Sequence, residues 1–97
     1  MELSSREEAV SIVLQRDPRT LWRRSGSKVV LAVADHHDLV ILEGAAALTW
    51  GLLGVPVSER DLISSVAAHF DVETQQVGEQ LAPFLENLRE LGAVNAS

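Results

Sequence analysis

Cysteine is absent from the 97 residues, which excludes disulfides, thiolate zinc sites and cysteine nucleophiles and fits a reducing, cytoplasmic setting. Glycine and proline are scarce, six and three, while 46% of residues are hydrophobic, so the chain has the make-up of a globular protein and not of a disordered tail. The start "MELSSREEAV" lacks the basic stretch and apolar run of a signal peptide. No apolar segment approaches the roughly 20 residues needed to span a bilayer, so a soluble protein without membrane contact is expected. Basic residues are scarce beyond residue 28: residues 1–28 hold six of the eight Lys and Arg against four acids, and residues 29–97 hold two against ten. A surface so acidic repels phosphates and favours cationic or neutral partners.

Catalytic signatures are missing as well. There is no Gly-x-Ser-x-Gly elbow, His-Glu-x-x-His pair, phosphate-binding glycine loop or paired-carboxylate cleft, and a chain of this size has little depth for a catalytic cavity. Glu79, Glu86 and Glu90 recur at helical spacing and read as a solvated face. No enzyme activity and no cofactor are expected. "DHHD", residues 35–38, invites a metal reading, but adjacent His36 and His37 point apart on a strand and into solvent on a turn, and His69 lies far along the chain. Zinc needs three or four spaced ligands. A hairpin turn, with Asp35 and Asp38 offering side-chain oxygens to amides, accounts for the stretch without a metal.

The patterns that are present outline an α+β fold. Ser5 and Glu8 have capping-box spacing, and Ala9, Ile12 and Val13, flanked by Val10 and Leu14, predict a helix stopped by Asp17-Pro18. A strand through "VSIVL" competes, and the cap favours the helix. "TLWRR", "KVVLAVA" and "DLVILEG", separated by "SGS" and "DHHD", predict a three-stranded antiparallel meander.

Three helices follow. "EGAAALTWGLLG" places Ala46, Trp50 and Leu53 on one side with Gly54 as its stop, and "SERDLISSVAAHF" opens on Ser58 as N-cap with Leu62, Ile63, Val66 and Phe70 inward. Glu73 to Leu91 repeats Val77, Leu81, Phe84, Leu85, Leu88 and Leu91 at spacings of three and four and ends at Gly92. Pro83 inside it removes a donor, frees the Glu79 carbonyl and predicts a bend.

The order, N-terminal helix, three strands and three helices, is winged-helix-like, and winged helices can bind DNA. The last helix carries Glu73, Glu79, Glu86 and Glu90 against Arg89, and the one before it Glu59 and Asp61 against Arg60, a composition that opposes counterion release on a duplex. No nucleic-acid partner is expected, and a winged-helix DNA-binding regulator or protein dimerisation module stands as the alternative function. "LVILEG" carries more weight. As the third strand of a meander it leaves backbone groups free, and Leu39, Val40, Ile41 and Leu42 include none of the Lys or Pro that blunts an edge. Either an amphipathic helix covers this edge or it accepts an extended peptide as a fourth strand.

From "LWRRSGSKVVLA" through "AAALTWGLL", "SERDLISSVAAHF" and "FDVETQQVGEQLAPFLENLRELGAV", about residues 20–94, the chain resembles the pyrroloquinoline-quinone-biosynthesis protein D (PqqD-like) family, the recognition elements of ribosomally made precursor peptides. The resemblance implies a non-catalytic peptide chaperone that binds the leader segment and presents the core segment to a modifying enzyme such as a cyclase, protease or radical enzyme. It implies that the leader pairs with Asp38, Leu39, Val40, Ile41 and Leu42 and rests against Val77, Leu81, Phe84, Leu85 and Leu88. The recognition domain would span 19–95 behind an N-terminal helical extension, 1–18, and act as a monomer or weak homodimer. Leu42-Glu43 stands where many members have Leu-Asn, and Trp50 resembles a subgroup found with lasso-peptide pathways.

Overall fold

Val13–Arg16 (β1), Leu21–Ser25 (β2), Lys28–Ala32 (β3) and Val40–Leu42 (β4), rich in Val, Leu and Ile, are strands in the computed structural model, which describes residues 13–34 and 37–96. Helices Ala45–Leu52 (α1), Glu59–Phe70 (α2) and Thr74–Leu91 (α3) follow, with two short strands, Val57–Ser58 (β5) and Val94–Ala96 (β6), before α2 and after α3. The strands form two antiparallel sheets, ordered β2-β3-β4 and β5-β1-β6.

The expected meander is the first of these sheets. Ser25 pairs with Lys28 across a two-residue loop, and Gly26 at its first position has φ +63°, the sign a type II′ turn demands there. The second sheet changes the reading of the N-terminal segment. Val13 and Leu14, expected at the end of a helix, are strand residues in β1, which pairs with β5 on one side and β6 on the other. These partners lie more than 40 and about 80 residues away in sequence, beyond the reach of a local capping signal. The proposed cap, Ser5 and Glu8, and the apolar positions through Ile12 lie outside the described residues.

The helices start and stop largely as their sequences specify. Ser58 Oγ accepts the Asp61 amide at 3.1 Å. α3 ends in a Schellman motif: Gly92 is left-handed at φ +85°, its amide donates to the Arg89 carbonyl at 3.0 Å, and the Ala93 amide donates to Leu88 at 2.9 Å. Pro83 sits within the continuous helix. Two expectations are corrected. Gly54 is not a left-handed stop for α1, because Leu53 caps the helix and Gly54 serves instead as the space into which Arg16 packs. Phe70, expected inward, is 44% exposed, since it is the last residue of α2, beyond the turn that Val66 and Ala67 bury.

The core gathers Val29, Leu31 and Leu42 from the sheet with Trp50, Leu53, Leu62, Val66, Leu85 and Leu88 from the helices and their caps. The β3-β4 part of one face of the sheet is thereby covered. The other face, which carries Leu21, Arg23, Val30, Ala32 and Ile41 by the strand register, is turned outward.

Candidate functional site

β4 pairs with β3 alone, Leu42 opposite Val29, Ile41 opposite Val30 and Val40 opposite Leu31. Its other side has no strand partner among the described residues. Alternation divides the side chains: Leu42 is buried and Val40 half-buried toward the helices, whereas Leu39 and Ile41 are 63% and 59% exposed. Asp38 is exposed at the approach to the strand. The edge thus offers backbone donors and acceptors, two free apolar side chains and no charge within the strand itself.

The helical residues selected from the sequence fall into two groups. Val77, Leu81, Leu85 and Leu88 are buried in the core, and Phe84 is half-buried against it. Of these, Val77 and Leu81 also form the floor of a concave pocket of about 210 Å³. Val66, Phe70 and Val72 line the same pocket, Gln76 and Gln80 add amides one helical turn apart, and Ala45 at the start of α1 closes it. Ala45 is three residues beyond Leu42, so the chain runs directly from the end of β4 into the pocket wall. Leu85 and Leu88 do not line it.

Phe70 and Val72 are the functional candidates that the sequence pattern missed. Helical spacing assigned Phe70 to the core, and the signal against this was its position: Asp71, left-handed at φ +58°, ends α2 beside it, and apolar Val72 follows with its amide bonded to Ala67. Two exposed apolar residues flanking a helix stop are poorly explained by core packing alone.

The polar candidates are simple in comparison. His37 is exposed, His36 lies outside the described residues, and the ring of His69 meets Phe70 edge-to-face at 4.9 Å. Among the described residues no group of three His, Cys, Asp or Glu is placed to hold a metal ion. The acids of α2 and α3 are exposed, and the Glu86–Arg89 pair, at 4.0 Å and open to solvent, adds little stability. No helix among the described residues is long and apolar enough to cross a membrane.

A family model described as coenzyme PQQ synthesis protein D (PqqD) matches residues 28–94, which takes in β3, the β4 edge, all three helices and the pocket. The chain belongs to the PqqD family. No curated protein and no solved structure gives a significant match. Membership agrees with a peptide-binding accessory role in the biosynthesis of pyrroloquinoline quinone or other peptide-derived products. The PqqD match begins at Lys28, so β1 and β2 lie outside it.

Proposed function

We propose that this PqqD-family chain binds the leader segment of a ribosomally made precursor peptide as a fourth strand on β4 and holds it for a modifying enzyme. The observation that carries this reading is the contrast between the two edges of one sheet. β2 bears Arg23 and Arg24, the charged guard of an edge that is not meant to pair, whereas β4 consists of Val40, Ile41 and Leu42 with exposed Leu39 before it. An added strand would satisfy the free amides and carbonyls of β4 with little demand on sequence.

Specificity would come from side chains. The pocket beyond the end of β4 has room for one large apolar or aromatic group against Phe70, Val72, Val77 and Leu81. A few backbone hydrogen bonds and one or two such groups support micromolar binding, about −8 kcal/mol, once ordering costs are subtracted. The exposed acids of α2 and α3 would add attraction for a leader with basic residues, an effect that weakens with salt.

The test is a titration of the 15N-labelled protein with the leader of the precursor peptide encoded beside its gene. Amide shifts concentrated in residues 38–42 and around Phe70 to Leu81 are expected. Shifts confined to β2, or a response to duplex DNA and none to the peptide, would overturn the reading in favour of a different interface or a DNA-binding role.

A further inference from the structure

The opposite edge of the same sheet is built for another kind of partner. All five residues of β2 are exposed, Leu21 at 71% and Trp22 at 42%. A trough of about 470 Å³ runs along it, walled by Leu21, Trp22 and Arg23 and floored by Val30 and Ala32. Trp22 also borders a second concavity of about 220 Å³, shared with Arg16, Thr20 and Gly54. The tryptophan is therefore the wall between two depressions, and each has an arginine on its rim.

Its position is fixed. The Arg16 guanidinium lies 4.7 Å from the Trp22 ring centre and 5.5 Å from that of Trp50, and the two indoles meet edge-to-face at 6.3 Å. Trp50 is wholly buried, so the exposed ring is anchored through Arg16 and Trp50 to the core. Rigid, half-exposed Trp and Arg are the residue types that dominate binding energy at protein interfaces.

The charge around this ring is of one sign. Arg16 lies over it, Arg23 and Arg24 follow it along β2 and Lys28 opens β3 across the hairpin, and among the described residues no carboxylate pairs with Arg16, Arg23 or Arg24. The one acid between residues 13 and 28, Asp17, is already engaged by Arg19. Four cations along the strand edge that carries exposed Leu21 and Trp22 match carboxylates that flank an apolar side chain. A nucleic acid fits less well, since exposed acids of α2 and α3 occupy the rest of a chain with net charge −6.

We propose that the β2 edge, centred on the Arg16-braced Trp22, is a second docking surface, for an acidic protein segment in which carboxylates flank an apolar residue. It lies at the far edge of the sheet from β4, so both edges can be occupied at once, and it stands whether or not β4 takes a leader peptide.

The experiment uses the full chain, 15N-labelled, with two synthetic probes of about ten residues, one alternating Glu and Leu and the other Lys and Leu. The Glu–Leu peptide is expected to shift the amides of Arg16 and residues 21–25 and the Trp22 indole signal, and to bind this surface at least about tenfold more tightly than the Lys–Leu peptide. The double variant R23E/R24E, with circular dichroism like wild type, should lose that preference, and so should wild type in about 0.5 M salt. Leader binding at β4 should stay within about twofold in the same variant, so the two edges are judged separately. Equal response to both peptides, no response at β2, a preference unchanged by R23E/R24E, or tighter binding of duplex DNA through these residues would each overturn the proposal.

Discussion

Gly54 is small because Arg16 occupies the space beside it. A Cβ added at Gly54 would fall 2.5 Å from Arg16 Nη2, closer than real contacts allow, and 3.2 Å from Cζ, with the Gly51 carbonyl at 3.3 Å, so the guanidinium would have to shift. The Arg16 amide also donates to the Leu53 carbonyl at 3.0 Å, so β1 is tied to the end of α1 at this point. Backbone and side chain together hold the guanidinium against both indoles. Gly54→Ala should therefore push the Arg16 guanidinium off Trp22 and lower stability by about 0.5–1 kcal/mol, chiefly through the lost cation–π contacts. Chemical denaturation followed by tryptophan emission checks both parts, since the emission of the folded state should change along with the midpoint.

At β4 the exposed side chain of Ile41 can be altered with little harm to the fold. Ile41→Asp places a charge in the strand that would line a bound peptide, and Phe70→Ala removes one wall of the pocket. Each is expected to weaken leader binding about tenfold or more, 1.4 kcal/mol by the usual conversion, while Ile41→Asp changes folding stability by only about 0.5 kcal/mol. Titration calorimetry with the leader, beside circular dichroism, separates the two effects. Wild-type affinity in both variants would remove β4 and the pocket from the binding site.

The three helices and the meander were legible because their signals are local. Ser58 and Asp61 are three residues apart, Gly92 directly follows the last apolar position of α3, and Gly26 marks its hairpin. What was not legible depends on distant residues. Leu14 could not announce that Val57 and Ala96 would flank it, and no pattern within "LLGVP" shows that Gly54 makes room for Arg16. The β4 edge was visible as an uncharged apolar run. The pocket was not, because periodicity sorts residues by helical face and Phe70 is exposed by the end of its helix, where that sorting fails.

Leu85 and Leu88 illustrate the same ambiguity on α3. Apolar spacing cannot tell a groove wall from core, and both side chains are buried, Leu88 at 2% exposure. Leu88→Ala should cost about 2–5 kcal/mol, the range for truncating a buried leucine, and abolish the cooperative thermal transition in a chain of this size or lower it steeply. A variant that stays folded should bind the leader as wild type does once the folded fraction is accounted for. Loss of affinity without loss of stability would return Leu88 to the binding surface.

Asp17 gives the fold its expected acid sensitivity. Arg19 donates from Nε and Nη2 to its two carboxylate oxygens, both at 3.1 Å, and from its backbone amide at 2.7 Å, while the Asn95 side chain adds a further hydrogen bond from β6. Led by the Arg19 side chain, these donors hold the carboxyl at a pKa of about 2, below its ordinary 3.8, despite opposition from burial. The folded state therefore binds the proton less readily than the unfolded chain. The stabilisation is full above pH 3.8 and is lost as pH falls toward 2, because the unfolded state takes up the proton first. Asp17→Asn should flatten the stability profile between these values and lower stability at neutral pH, where the wild-type carboxylate is ionised. Urea midpoints measured from pH 6 down to pH 2 for both proteins provide the comparison, and parallel profiles would show that the Asp17 carboxylate is not linked to folding.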